Sequence, residues 1–172
     1  MFGNEIFIQC VKILKIWQPK QNYSNEKDYQ DDLRDFLFKE LNKPRPFSFG
    51  EDNQINIKSE SGRSKCDLAV GRAVGIELKF SKTGKIKISD IDRLDGQVRR
   101  HIKDYSQGVI VVLVGDINCY SEADVKDKIN EIKQSINNSL GLNTYNLGLV
   151  NKSYNKPVQK QSSSGFRISS LG

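Results

Sequence analysis

Three charged side chains, Asp67, Glu77 and Lys79, interrupt two short apolar runs in "KCDLAVGRAVGIELKF" (65–80). Burying charge in such a setting is costly unless each group meets a metal, an opposite charge or a ligand. With a turn centred near Ala73, Asp67 falls opposite Lys79 and Ala69 opposite Glu77. Side chains alternate faces along a strand, so Glu77 and Lys79 share one face and Asp67 joins them across the pair. Two converging carboxylates make a hard-oxygen site suited to Mg2+, with a backbone carbonyl and water completing the shell. A lysine beside them can hold a phosphate oxygen or orient a water activated by the ion.

The elements that must position these groups can be read from periodicity. Phe7, Cys10, Val11, Leu14 and Trp17 follow helical spacing. A second helix is expected over 25–41, capped by Ser24 or Asn25, with Tyr29, Leu33, Phe36, Leu37 and Leu41 as its apolar stripe. "NKPRPFSFG" (42–50) stops it, because two prolines and a glycine cannot continue a helix. "INIKSE" (55–60) alternates as a strand, and "CDLAV" and "GIELKF" form a strand pair joined through Gly71–Gly75. A short strand at Ile86 and Ile88 is expected in the basic connection, then a helix over 90–105. "VIVVLVG" (109–115) is a strand covered on both faces. A capping box from Ser121 to Asp124 opens a helix that stops at Gly141, and "YNLGLV" (145–150) is a last strand. The expected architecture is therefore α/β, a mixed sheet with helices on both sides.

Composition bounds the function. The 172 residues suit one domain, taken as 1–150, followed by a polar, loose tail over 151–172. A formal charge of +6 favours an anionic partner such as nucleic acid. Cys10, Cys66 and Cys119 are scattered without a CxxC pair, which argues against a disulfide framework and a zinc site and fits a reducing cytoplasm. No apolar run is long enough for a membrane span, and the opening segment lacks the pattern of a signal peptide. His101, the only histidine, borders an apolar stripe and reads as a core-edge residue; histidine-dependent metal sites and triads are set aside on that ground.

Asp67, nine intervening residues and Glu77-Leu78-Lys79 resemble the signature of the PD-(D/E)XK nucleases, whose fold is called restriction-endonuclease-like. The resemblance covers about residues 24 to 115, where the expected elements follow that family's αβββαβ core, here with an extra N-terminal helix and a C-terminal helix and strand. The proline of the family name is Cys66 here, a position that carries no ligand. The resemblance implies further site residues. An acid from the first core helix corresponds to Glu26, although Asp28, Asp31 and Asp32 are close by, and a glutamine on the helix after the lysine corresponds to Gln97.

On this reading the protein is a Mg2+-dependent nuclease, with Mn2+ able to substitute, acting as an endonuclease on double-stranded DNA. Asp67, Glu77 and the Leu78 carbonyl would hold the ion, Glu26 would complete its shell or hold a second ion, and Lys79 would orient or deprotonate water. Arg63, Lys82, Lys85, Lys87, Arg93 and Arg100 are the expected contacts to nucleic acid, with Arg99 in the same basic set. Folds of this kind that cut both strands often pair, so a homodimer is implied. Two alternatives stay open: a non-cutting nucleic-acid-binding module, and a nuclease acting on RNA or single strands.

Overall fold

The computed structural model describes residues 4–44, 54–59, 66–140 and 145–154, excepting the side chains of residues 137, 139 and 140. The elements are α1 (Glu5–Ile16), α2 (Glu26–Leu41), β1 (Ile57–Ser59), β2 (Leu68–Val70), β3 (Val74–Gly84), α3 (Ile88–His101), β4 (Gly108–Ile117), α4 (Cys119–Leu140) and β5 (Leu147–Asn151). The strands form one mixed sheet in the order β1-β2-β3-β4-β5. The first two pairings are antiparallel and the last two parallel.

The period of two along β4 divides the interior. Ile110, Val112 and Val114 pack with Cys10, Leu14 and Trp17 of the first helical layer and with Tyr29, Leu33 and Leu37 of α2. Val109, Val111 and Leu113 face Leu94 and Val98 of α3 and Val125, Ile129 and Ile132 of α4. Along β3, Val74, Ile76 and Leu78 join the first cluster. Glu77 and Lys79 consequently point to the α3 side. The α/β architecture expected from the pattern is present, with helices on both faces. Among the described residues no helix is long and apolar enough to cross a membrane.

Several local expectations are corrected. The hairpin is centred on Arg72, not Ala73: Val70 pairs with Val74 and Leu68 with Ile76. Gly71 takes a φ of +57° and so lets the turn begin directly after Val70. No strand forms at Ile86 and Ile88, because β3 runs on to Gly84 and Ile88 already opens α3. The last helix starts before Ser121: Asn118 Oδ1 accepts the Ser121 N–H at 2.9 Å. The Ser121 hydroxyl instead accepts the Ile86 N–H at 3.2 Å, which ties α4 to the segment leaving β3.

The compositional boundary at residue 151 falls inside the last strand. Asn151 belongs to β5, and the Lys152 and Tyr154 amides donate to the Leu113 and Gly115 carbonyls of β4. Residues 155–172 of the expected tail, the 45–50 part of the proline segment and Gly141 lie outside the described residues.

Candidate active site

The strand β2 ends its pairing early, and this shapes the site. Its register with β3 runs only from Val74 to Ile76, so the backbone of β3 has no β2 partner beyond that point. Two carboxylates take the place of the missing strand. Asp67 Oδ2 accepts the Leu78 N–H at 2.7 Å, and Glu26 Oε2 accepts the Phe80 N–H at 3.0 Å. Leu78 and Phe80 are two residues apart, so these amides point the same way and bring the acids to one side of the strand.

Each acid is fixed from its own element. The Asn25 side chain caps α2 by accepting the Asp28 N–H at 2.9 Å, which sets Glu26 in the first turn. Tyr29 and Leu33 bury the inward face of the same helix, and Glu26 lies on that face. Gln30, one turn further on, donates its side-chain amide to the Asp67 carbonyl and thus holds the residue that precedes β2.

Glu77 is 1% exposed. Its Oε1 accepts from Lys79 Nζ at 2.9 Å, and the same ammonium donates to Gln97 Oε1 at 3.2 Å. Its Oε2 receives no hydrogen bond among the described residues and lies 4.0 Å from His101 Nε2. The hairpin register is what gathers these groups: with the turn centred on Arg72, continuation of the ladder sets Asp67 against Glu77 rather than Lys79. The acids are closer neighbours than the expected register made them.

The electrostatics follow from burial. Asp67 has its pKa pushed up from 3.8 to about 6, first by loss of water and then by the Glu77 charge. Burial also raises Glu77, against the pull of Lys79. Glu26 is raised by burial and then by Asp67, with Lys79 opposing. Three acids that resist ionisation together define a place where a cation would be favoured.

Glu26, Asp67, Glu77, Lys79 and Gln97 line one cleft of about 190 Å3. The donor set fits a hard divalent ion: Asp67 and Glu26 each spend one oxygen on the β3 backbone, and carboxylate oxygens and water are what Mg2+ prefers.

Of the expected nucleic-acid contacts, only Arg93 lines the cleft, and its charge lowers the pKa values of Glu26, Asp67 and Glu77. Lys82, Lys85, Lys87 and Arg100 are exposed but do not line it. Arg99 turns away to α4, where it donates to Ser135 Oγ at 3.2 Å. Arg63 lies outside the described residues.

Other residues at the site were not anticipated. Asp90 adds a fourth acid to the lining. Gln30 could have been found, because it sits four residues after Glu26 on the inward face of α2. His101 is not at the edge of the core but inside it, 1% exposed. Cys66, Glu77 and His101 each offer a ligand atom within 4.8 Å of the others. A pairing of this cysteine with this histidine has no signature in their 35-residue separation along the chain.

Comparison with protein-family models, with curated proteins and with solved structures found no match to the chain.

Proposed function

We propose that the protein is a metal-dependent nuclease of the PD-(D/E)XK type, with a restriction-endonuclease-like core, that hydrolyses phosphodiester bonds in double-stranded DNA. One observation carries the reading: Asp67, Glu77 and Lys79 line one cleft together with Glu26 from α2 and Gln97 from α3. The order of elements from α2 to β4 supports it as well.

Asp67 and Glu77 would hold a Mg2+ ion, with Mn2+ as a substitute, and Glu26 would add its carboxylate from the first turn of α2. When bound, the ion would neutralise charge on the scissile phosphate and make water a better nucleophile. The remaining work falls to the chain. Lys79 spends two of its three ammonium protons on Glu77 and Gln97, which leaves one donor for a phosphate oxygen or for the attacking water. Gln97 acts as the outer brace of that ammonium. Arg93 stands at the rim as a planar donor to the phosphate backbone. The net charge of +6 favours the approach of the polyanion.

Incubation of purified protein with supercoiled plasmid, in Mg2+ or in EDTA, tests the reading. Nicking or linearisation in Mg2+ alone is the expected result. A panel of linear, branched, single-stranded DNA and RNA substrates then sorts the substrate class. Binding without cleavage under every metal condition would replace the nuclease by a non-cutting nucleic-acid-binding module.

A further inference from the structure

We propose that Cys66, Glu77 and His101 form a transition-metal site of the Zn2+ class, inside the protein and apart from the cleft except for the shared Glu77. The ligands come from three places that the fold holds together: two residues ahead of β2, the middle of β3 and the last residue of α3. Their donor atoms lie within 4.8 Å of one another, and Glu77 Oε2 is 4.0 Å from His101 Nε2. Zinc bonds of about 2.0–2.3 Å set tetrahedral ligand atoms roughly 3.3–3.8 Å apart. A contraction of about an ångström or less brings the three into range.

Burial and charge point the same way. Cys66 is 0% exposed, and Glu77 and His101 are each 1% exposed. Lys79 Nζ pairs with Glu77 Oε1 at 2.9 Å, whereas Oε2 receives no hydrogen bond among the described residues, and a polar oxygen at that depth is costly to leave without a partner. The ion would be held by one thiolate, one carboxylate and one neutral imidazole. That donor set also separates this site from the cleft, since sulfur and imidazole suit zinc while carboxylates and water suit magnesium.

The surroundings make room for the sulfur. A Cβ at Gly75 would lie 2.6 Å from Cys66 Sγ and 2.6 Å from the Tyr105 ring, so only glycine leaves both in place. The Tyr145 ring packs against the same apolar cluster that holds Cys66.

The site does not rest on the nuclease reading, and its test needs no nucleic acid. Metal-free protein is titrated with Co2+, which reports sulfur ligation through a thiolate-to-cobalt charge-transfer absorption in the near ultraviolet. The expected result is one Co2+ per chain with that absorption, its removal by Zn2+, and a rise in Tm with either ion. Cys66→Ser should abolish the absorption, whereas Cys119→Ser, at an exposed thiol, should keep it. His101→Gln should weaken Co2+ binding roughly tenfold or more, about 1.4 kcal/mol. Wild-type protein without the absorption would overturn the proposal whatever the variants do. Absorption that survives Cys66→Ser, or affinity unchanged in His101→Gln, would overturn it too. Circular dichroism of the metal-free variants separates loss of a ligand from loss of the fold, and His101→Gln decides if Cys66→Ser does not fold.

Discussion

The Asp67 carboxylate accepts the Leu78 backbone N–H at 2.7 Å, so a residue before β2 is clamped to the strand that carries Glu77 and Lys79. Glu26 repeats the arrangement two residues on, at the Phe80 N–H. Both acids therefore serve the fold with one oxygen and the cleft with the whole carboxylate, and substitutions can separate the two tasks.

Lys79→Ala should lower cleavage on the order of 10²–10⁴-fold, the range expected for losing a positioned proton-transfer or charge-stabilising group. Binding of uncut DNA should change little, because Lys79 is one of 27 lysines and arginines and lies within the cleft, its side chain 15% exposed. Single-turnover cleavage and filter binding on the same preparation check this. Undiminished cleavage by a clean preparation would remove Lys79 from the reaction.

Glu26→Gln keeps an acceptor for the Phe80 N–H but removes the charge, so it should fold normally and bind Mg2+ more weakly. Glu26→Ala also strands the amide and should cost about 1–3 kcal/mol of stability. Urea unfolding of the two variants, with and without Mg2+, distinguishes the structural loss from the loss of charge.

Asp67 titrates near 6 in the folded protein against 3.8 ordinarily. The native state thus holds this proton more tightly than the unfolded chain does. Its contribution to stability is full below about pH 4 and is lost as pH rises through about 6, on the order of 1–3 kcal/mol. Mg2+ competes with protons for the same oxygens, so the Tm increment from Mg2+ should grow over that interval. Melts of the wild type and Asp67→Asn across this range, in EDTA and in Mg2+, measure both effects. A Mg2+ increment that is flat with pH would speak against carboxylate ligands.

Gln30→Ala releases the Asp67 carbonyl from α2. Loss of such an outer support should weaken metal binding about 10–100-fold, as typically found when a ligand's partner is removed. Calorimetric titration with Mn2+ gives the comparison, and wild-type affinity in Gln30→Ala would mean that the contact does not position Asp67.

Much of the site was legible because it depends on short-range alternation. Asp67, Glu77 and Lys79 stand out from apolar neighbours, and the stripes of α1 and α2 follow from helical spacing alone. The register did not, because a three-residue turn over Gly71 and a turn one position later fit the same glycines. Ser121 misled for a related reason: serine is a good cap, but Asn118 sits three residues earlier and does the capping. The Cys66–His101 pairing could not be read at all. It arises only when α3 crosses back over the face of β3, and no local pattern encodes that meeting.

The short β2 has one more consequence. A strand left without a neighbour presents bare amide and carbonyl groups that invite a strand from another molecule. Here that unpaired stretch is capped at Leu78 and Phe80 by the acids of the cleft. Protection of the strand edge and the acidic lining of the cleft thus rest on the same two side chains. A chain stripped of both Glu26 and Asp67 would lose more than two acids of the cleft: it would offer a template for self-association.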